Sequence, residues 1–142
     1  MRAVVGSDER TPLTDAVEAD MRARGVEVIL IGPPAGEEIA WAEVGRRAGE
    51  IVSAGEADCG VLFCWTGTGV SIAANKVKGV RAALCGDAAT AAGARRWNDA
   101  NVLAMSLRTT SIALAREMLD AWFATDPDPA EAESIAGLEA GR

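Results

Sequence analysis

The sequence predicts an α/β protein, a Rossmann-like three-layer α/β/α sandwich in which a five-stranded parallel sheet lies between helices. Short β-branched apolar runs alternate with longer segments of helical periodicity, which is the order of repeated βαβ units. Most of the apolar runs contain few polar residues, as expected for parallel strands that are buried on both faces. The helical segments also begin and end at residues that are typical of helix termini.

The five strands are expected near residues 2–6, 26–31, 59–64, 80–85 and 101–105. Between the strands, Pro12 follows Thr11 as a first-turn proline behind an N-cap residue. Gly25 and Gly55 stand where a glycine usually ends a helix. These signals divide the first half of the chain into alternating strands and helices.

The last part of the chain predicts helices only. One helix is expected near 109–124, and the remaining stretch, about 125–142, is acidic, interrupted by proline and then weakly helical. This stretch predicts a peripheral C-terminal helix. The 142 residues are the length of one ordinary domain, so we expect a single domain over residues 1–142.

Composition excludes several classes of function. The chain has 14 basic and 21 acidic side chains, a net charge of −7 and no basic cluster, which argues against nucleic acid as a partner. The apolar runs are too short to cross a bilayer and no signal-peptide pattern is present, so we expect a cytoplasmic protein without a membrane partner. Three cysteines without metal-ligand spacing and the lack of any histidine predict free thiols and no metal site.

The stretch "CGVLFCWTGTGVSIAANK" contains the strongest local signal. Cys64 ends an apolar strand, Thr66 follows in the loop, and a helical run comes next. In parallel sheets ligands bind where strand ends meet helix N-termini, because backbone amides point into that crevice. The residues whose amides or hydroxyls are expected to converge there are Gly67, Thr68, Gly69, Val70 and Ser71. The helix dipole would favour a thiolate, so Cys64 is a candidate base or nucleophile.

Two other interpretations of these residues are possible. A lone strand-end cysteine is more often a core residue, and we assign that role to Cys59 and Cys85. The glycines also match part of a dinucleotide fingerprint, with Asp87 where a ribose-binding acid would lie, but the third glycine position holds Ile72. The stretch lacks the Lys-Ser or Lys-Thr of a P-loop, so nucleotide binding has weak support.

Three stretches resemble ribose-5-phosphate isomerase type B and its galactose-6-phosphate isomerase relatives. They are "GSD" at 6–8, "GVLFCWTGTGVSIAANKVKGVRAALC" at 60–85 and "WNDANVLAMSLR" at 97–108. The resemblance covers most of the chain, up to about residue 124. It implies a five-stranded parallel sheet, a homodimer or homotetramer with active sites shared between subunits, a sugar or sugar phosphate as the small-molecule substrate, and no metal or other cofactor.

The resemblance also implies a mechanism and roles for particular residues. A cysteine in the position of Cys64 moves a proton between C1 and C2 of an open-chain sugar through a cis-enediolate. The loop amides would hold the enediolate oxygen and Thr66 would relay the hydroxyl proton. The acid of the family corresponds to Asp8, which would bind sugar hydroxyls, and its asparagine corresponds to Asn98. On local evidence alone, Asp8 would be a capping or turn residue and Asn98 a turn residue.

The chain departs from the family pattern at four positions near the expected site. Glu9 replaces a histidine, and Trp97 replaces the histidine that is assigned to opening the furanose ring. Trp65 follows the cysteine in place of a glycine, and Trp41 falls near a tyrosine that lines the sugar site. We therefore expect a smaller and more aromatic pocket, without imidazole-catalysed ring opening.

The chain also has fewer of the arginines that bind the substrate phosphate in the family. The C-terminal stretch that carries an arginine pair in the family has only acidic charges here. Arg108 matches a further phosphate arginine and Arg10 is a possible local substitute, although either is otherwise a solvated surface charge. The expectation is an aldose–ketose isomerase acting on a sugar phosphate, or on a short or uncharged sugar. The alternative is a non-catalytic sugar-binding protein or partner subunit of the same fold.

Overall fold

The structure is a computed structural model that describes residues 1–140, and it contains five strands and six α-helices in that range. The strands are β1 (Arg2–Ser7), β2 (Glu27–Ile31), β3 (Cys59–Cys64), β4 (Ala82–Leu84) and β5 (Val102–Ser106). The helices are α1 (Pro12–Ala23), α2 (Trp41–Ser53), α3 (Thr68–Asn75), α4 (Ala88–Asn98), α5 (Ile112–Ala124) and α6 (Ala132–Gly137). Within the described residues, no helix combines the length and apolar character needed to cross a bilayer.

All five strands are parallel and form one sheet in the order β2-β1-β3-β5-β4. The register places Ala3 opposite both Val28 and Cys59, and Gly60 opposite Val102. Helices follow the strands as in successive βαβ units, so the predicted α/β sandwich with a five-stranded parallel sheet is confirmed.

Helices cover both faces of the sheet, and each face has its own apolar core. On one face α1, α4 and α5 pack over a cluster that contains Val5, Phe63 and Met105. On the other face α2 and α3 pack together over Val4 and Leu62. The central strand β3 is buried along its whole length, which explains why its sequence has no polar residue apart from its terminal thiols.

The predicted helix ends agree with the structure in the first half of the chain. The side chain of Thr11 accepts a hydrogen bond from the amide of Thr14, and Pro12 is the first residue of α1. Gly25 and Gly55 have positive φ angles of 80° and 76° directly after α1 and α2. The sequence signals at these ends are therefore sufficient to place α1 and the end of α2.

Two boundaries differ from the prediction. β4 has only three residues instead of the six predicted, and the amide of Arg81 donates to the side chain of Asn101. α5 begins at Ile112 rather than near 109, because Ser111 caps the amide of Leu114. The residues between β5 and Ser111 form a turn at the carboxyl edge of the sheet.

The C-terminal segment lies on the periphery, as predicted. The short helix α6 has no buried residue, and a one-turn 3₁₀ helix at Pro129–Glu131 precedes it. The carboxylate of Glu139 accepts a hydrogen bond from the amide of Gly79, at 3.4 Å. This segment therefore adds little to the cores on either face of the sheet.

Candidate active site

The candidate site lies at the carboxyl ends of β1 and β3. In the sheet β2 lies on one side of β1, whereas β3 and the later strands lie on the other side of it. In open parallel sheets the crevice at such a reversal is the usual ligand site. Ser7 pairs with Phe63, so the two residues that follow them, Asp8 and Cys64, are neighbours at the strand ends.

Cys64 is the last residue of β3, and the loop after it leads directly into α3. Its side chain is 5% exposed and belongs to the apolar cluster beneath α2 and α3. Gly67 is the N-cap of α3 and supplies no side-chain acceptor, which leaves the first-turn amides of this helix without a capping side chain. A thiol beside such amides is suited to chemistry in which negative charge develops on a bound oxygen.

The two loop glycines are required by close contacts. Gly67 has φ of 77°, and a Cβ there would lie 2.6 Å from Cδ1 of Leu84. A Cβ on Gly69 would lie 2.6 Å from Cε3 of Trp41. The half-exposed indole of Trp41 therefore lies against the loop, so the structure brings this predicted sugar-site residue and the glycines together.

The loop hydroxyls form a pair. Oγ1 of Thr66 lies 2.8 Å from Oγ1 of Thr68, and both residues are exposed. Two hydrogen-bonded hydroxyls are able to pass a proton from one to the other. The side chain of Val70 is buried, so at the predicted site this residue offers its backbone amide alone.

Asp8 carries a buried and unpaired acceptor. Its Oδ1 atom has no hydrogen-bond partner among the described residues. Burial, followed by the charge of Glu9, raises the pKa of Asp8 above its ordinary value of 3.8. Beside it an open depression of about 440 Å³ is also lined by Pro33, Glu38, Ile39 and Ala40. Because Thr11 caps α1, Asp8 is left available for a hydrogen-bond donor on a ligand.

Three hydrogen bonds join the turn after β5 to the Cys64 loop, and a fourth lies within the turn. The amide of Leu107 donates to the carbonyl of Cys64 at 3.0 Å, and the amide of Arg108 donates to the carbonyl of Trp65 at 3.1 Å. The hydroxyl of Ser106 also donates to the carbonyl of Trp65, at 3.0 Å, and accepts from the amide of Thr109 at 3.2 Å. These bonds fix the backbone of Trp65, whereas its indole is 61% exposed and faces solvent.

Sequence analysis missed Ser106, Glu38 and Ile39. Ser106 is the last residue of an apolar strand, and its register opposite Cys64 depends on β3 and β5 being neighbours. Glu38 and Ile39 lie in the segment between β2 and α2, which has no motif. A polar residue at the end of each strand would have been a usable signal for Ser106, although the order of the strands is not encoded locally.

The two candidate phosphate arginines differ in the structure. Nε of Arg10 lies 2.9 Å from Oδ1 of Asp15 in an exposed ion pair. Arg108 is exposed and forms no ion pair within residues 1–140. Glu9 is exposed and adds negative charge next to Asp8. Arg108 is thus the arginine of this pair whose guanidinium is free for an anion.

Trp97 and Asn98 lie away from this loop within one chain. They end α4, only four residues before β5 begins, whereas Cys64 pairs with the last residue of β5. The four steps along β5 alone correspond to about 13 Å. Both side chains are exposed and line an open groove between α4 and β4 that contains no residue of the Cys64 loop. One chain therefore does not bring the two halves of the predicted site together.

The other two thiols have the surroundings expected of core residues. Burial raises the pKa of Cys59 and that of Cys85 to about 11 in each case, so both remain protonated near neutral pH. Within residues 1–140, no three of the Cys, Asp and Glu side chains lie close enough together to hold a metal ion. Asp87, the residue considered for ribose binding, instead caps α4: its carboxylate accepts a hydrogen bond from the amide of Thr90 at 2.7 Å.

These observations define a Rossmann-like protein with a thiol, a helix N-terminus and an unpaired acid at the reversal point of its sheet. The family model described as Ribose/Galactose Isomerase matches residues 3–136. The chain therefore belongs to this family, as the sequence motifs predicted.

Curated relatives and a solved structure show the same relationship. Ribose-5-phosphate isomerase B of Escherichia coli strain K12 is 40% identical over 110 residues, 78% of this chain and 74% of the relative. D-erythrulose-4-phosphate isomerase 2 of Mycolicibacterium smegmatis is 35% identical, with 94% and 91% of the two chains covered. The structure of Clostridium thermocellum ribose-5-phosphate isomerase B superimposes with a TM-score of 0.91 at 35% identity, over 98% and 95% of the chains.

Proposed function

We propose that this protein is an aldose–ketose isomerase that acts on a short-chain sugar phosphate through a cis-enediolate, with Cys64 as the acid and base. The observation that supports this most is the position of Cys64 beside the uncapped amides of α3, across from the unpaired acceptor of Asp8. The relatives named above are isomerases of sugar phosphates with four or five carbons.

The proposed reaction is a proton transfer that needs no redox partner. The Cys64 thiolate removes the proton from C2 of the open-chain aldose, and the C–H electrons form the C1–C2 double bond while charge moves to O1. The amides of Thr68 and Gly69 stabilise this oxyanion. The Thr66–Thr68 hydroxyl pair passes the proton of O2 to O1. The thiol then returns its proton to C1 as the C2 carbonyl forms.

The substrate is proposed to be one that does not close into a ring. The chain contains no histidine, and Trp97 occupies the position that the family resemblance assigns to the ring-opening residue. In a tetrose 4-phosphate the O4 atom is esterified, so a furanose cannot form and no ring opening is needed. Arg108 is the proposed contact for the phosphate, because its guanidinium is exposed and free of an ion pair in the described chain.

A substrate comparison tests this proposal. The purified protein is given tetrose 4-phosphates, ribose 5-phosphate and the unphosphorylated tetroses, and isomerisation is followed by NMR. We expect the highest kcat/KM for a tetrose 4-phosphate. Equal or better turnover of ribose 5-phosphate would contradict the proposed substrate class. Tight binding of a sugar phosphate without turnover of any substrate would instead favour the non-catalytic sugar-binding protein.

The complete site is proposed to form between two copies of the chain, working in the cytoplasm as a homodimer or homotetramer. This would explain why Trp97 and Asn98 are exposed at the far end of β5 from Cys64. Mixing two inactive variants tests it, because only a shared site restores activity. After the subunits of Cys64→Ser and Asn98→Ala exchange, we expect about a quarter of wild-type activity, since half the dimers are mixed and each has one intact site. No recovery would contradict a shared site.

A further inference from the structure

We propose that Ser106 is a positioning residue that sets the spacing between the Cys64 thiol and the Arg108 guanidinium, and thereby the length of substrate that is turned over. The inference rests on the proposed function, in which these two side chains hold opposite ends of one molecule. Ser106 itself is 8% exposed and is not proposed to contact the substrate.

The register of the strands places Ser106 beside the thiol. Ser106 lies directly opposite Cys64 as the last residue of β5, so the turn that carries Arg108 starts at the level of the thiol. Parallel strands that pair directly are about 4.8 Å apart. The position of Arg108 relative to Cys64 is therefore decided by how the next two residues leave the strand.

The hydroxyl of Ser106 forms hydrogen bonds to both of the segments that it is proposed to position. It donates to the carbonyl of Trp65 at 3.0 Å and accepts from the amide of Thr109 at 3.2 Å. It thus joins the residue that follows Cys64 to the residue that follows Arg108. No other side-chain hydrogen bond within residues 1–140 connects these two segments, and the remaining links are the backbone bonds from Leu107 and Arg108.

The orientation of the Trp65–Thr66 peptide also depends on Ser106. The carbonyl of Trp65 receives two donors, the hydroxyl of Ser106 and the amide of Arg108, and both lie on the β5 side. Because a peptide is planar and trans, the amide of Thr66 must point the opposite way from this carbonyl. Ser106 therefore fixes the direction of the first amide after the catalytic strand as well as the turn that holds the cation.

The experiment compares Ser106→Ala with Ser53→Ala in the full chain. Ser53 is a matched control, because its hydroxyl donates to a backbone carbonyl, that of Lys78, at 2.8 Å and far from the Cys64 loop. The measurements are KM, kcat and the ratio of kcat/KM for a tetrose 4-phosphate over ribose 5-phosphate. Purely structural damage would lower activity on both substrates equally and leave this ratio unchanged.

For Ser106→Ala we expect KM for the tetrose 4-phosphate to rise about three- to tenfold, and the selectivity ratio to fall by a similar factor. Ser53→Ala should change neither quantity. Ser106→Thr, which keeps the hydroxyl, should restore most of the ratio. When Arg108→Ala is already present, adding Ser106→Ala should raise KM by less than twofold, because the two residues act on the same contact.

An unchanged KM and ratio in Ser106→Ala would overturn the inference even if the variant melts at a lower temperature. If Ser106→Ala does not fold, Ser106→Cys keeps the volume with a weak donor and is measured in the same way. If the wild type turns over substrate and the selectivity ratio is unaltered in Ser106→Ala or Ser106→Cys, only the role of Ser106 is contradicted. Lack of turnover by the wild type would contradict the proposed function, and this inference with it.

Discussion

The two edges of the sheet treat their polar groups in opposite ways. At the amino edge, the side chain of Asp99 accepts from both Arg81 and Arg95, and the side-chain amide of Asn101 bonds Arg81 and Gly79. At the carboxyl edge, polar groups at the candidate site are left open instead. They include the buried oxygen of Asp8, the uncapped amides of α3 and the guanidinium of Arg108.

The comparison distinguishes polar groups that are paired within the fold from polar groups that remain open to a ligand. A polar cluster in which every group has a hydrogen-bond partner does not lower the stability of the fold. A buried acceptor without a partner does lower it, unless a ligand provides the donor. The amino edge also has a cavity of about 340 Å³ that is lined by Arg81, Arg95 and Asp99, and there both guanidinium groups form ion pairs with the one carboxylate. Because both edges of the sheet have a cavity, open hydrogen-bonding capacity distinguishes the candidate site better than a cavity does.

The largest effect is expected at Cys64. Cys64→Ser should lower kcat by a factor on the order of 10² to 10⁴, the usual contribution of a general base, because a serine hydroxyl is a far weaker acid than a thiol. Isomerisation of a tetrose 4-phosphate is the measurement. Cys85→Ser, at a thiol whose pKa burial raises to about 11, is the control and should leave kcat within about twofold while lowering stability. Equal catalytic losses in both variants would contradict the assignment.

The next largest effect is expected at Arg108. Arg108→Ala should raise KM for the phosphorylated substrate about ten- to a hundredfold, the expected loss for one charge-assisted contact. Arg10→Ala is the matched control, since Arg10 already pairs with Asp15 and its removal should change KM by less than threefold. Unphosphorylated tetroses competing as well as the phosphates would show that no phosphate contact exists.

At the amino edge the expected effect is on stability rather than rate. Asn101→Ala removes the side-chain acceptor of the Arg81 amide and leaves the carbonyl of Gly79 with only the longer bond from Nη1 of Arg81, at 3.4 Å. We expect the free energy of unfolding to fall by about 1 to 3 kcal/mol, measured by urea denaturation. The kcat/KM of the folded variant at 25 °C should stay within about threefold of wild type. A large loss of turnover without a loss of stability would show that Asn101 takes part in the chemistry rather than in holding the fold.

The smallest effect on stability is expected for Asp8→Asn, and it has the opposite sign to that of Asn101→Ala. The pKa of Asp8 is raised in the folded protein, so folding favours its protonated form, and the ionised form opposes folding at neutral pH. Asp8→Asn should therefore raise Tm slightly at pH 7, with a difference from wild type that disappears as the pH falls towards 4. Because Asp8 is only partly buried and water screens its charge, the gain should be small.

Activity should move the other way in Asp8→Asn, since a carboxylate acceptor for sugar hydroxyls is lost. We expect kcat/KM to fall about tenfold. A more stable and less active variant is the combination that marks a site residue. A variant that is less stable at pH 7 would show that Asp8 has a structural partner.

The structure also shows which features can be predicted from the sequence: those that depend on neighbouring residues. The apolar character of β3, the Thr11–Pro12 start of α1 and the glycine after each of the first two helices are local, and the structure agrees with each. The shortening of β4 was not predictable, because it depends on Asn101, twenty residues after Arg81, taking over an amide of the strand.

The same limit applies to the site. The loop after Cys64 was predicted from its own residues, since a glycine-rich turn between a strand and a helix is a local pattern. The neighbourhood of Asp8 and the role of the Ser106 turn depend on strand order, which places β1 and β5 on either side of β3. The sequences of the five apolar runs do not determine the order of the strands in the sheet, and Ser106 was therefore missed.

The central claim is that Cys64 carries a proton between two carbons of the substrate, and isomerisation in D₂O tests it most directly. A tetrose 4-phosphate is incubated with the wild-type protein, and deuterium at C1 and C2 is measured by NMR and mass spectrometry. The account predicts deuterium at these carbons in product and recovered substrate, because a thiol exchanges its proton with solvent, and no deuterium with Cys64→Ser. Full conversion without any deuterium would contradict it, since hydrogen would then move between the carbons as hydride.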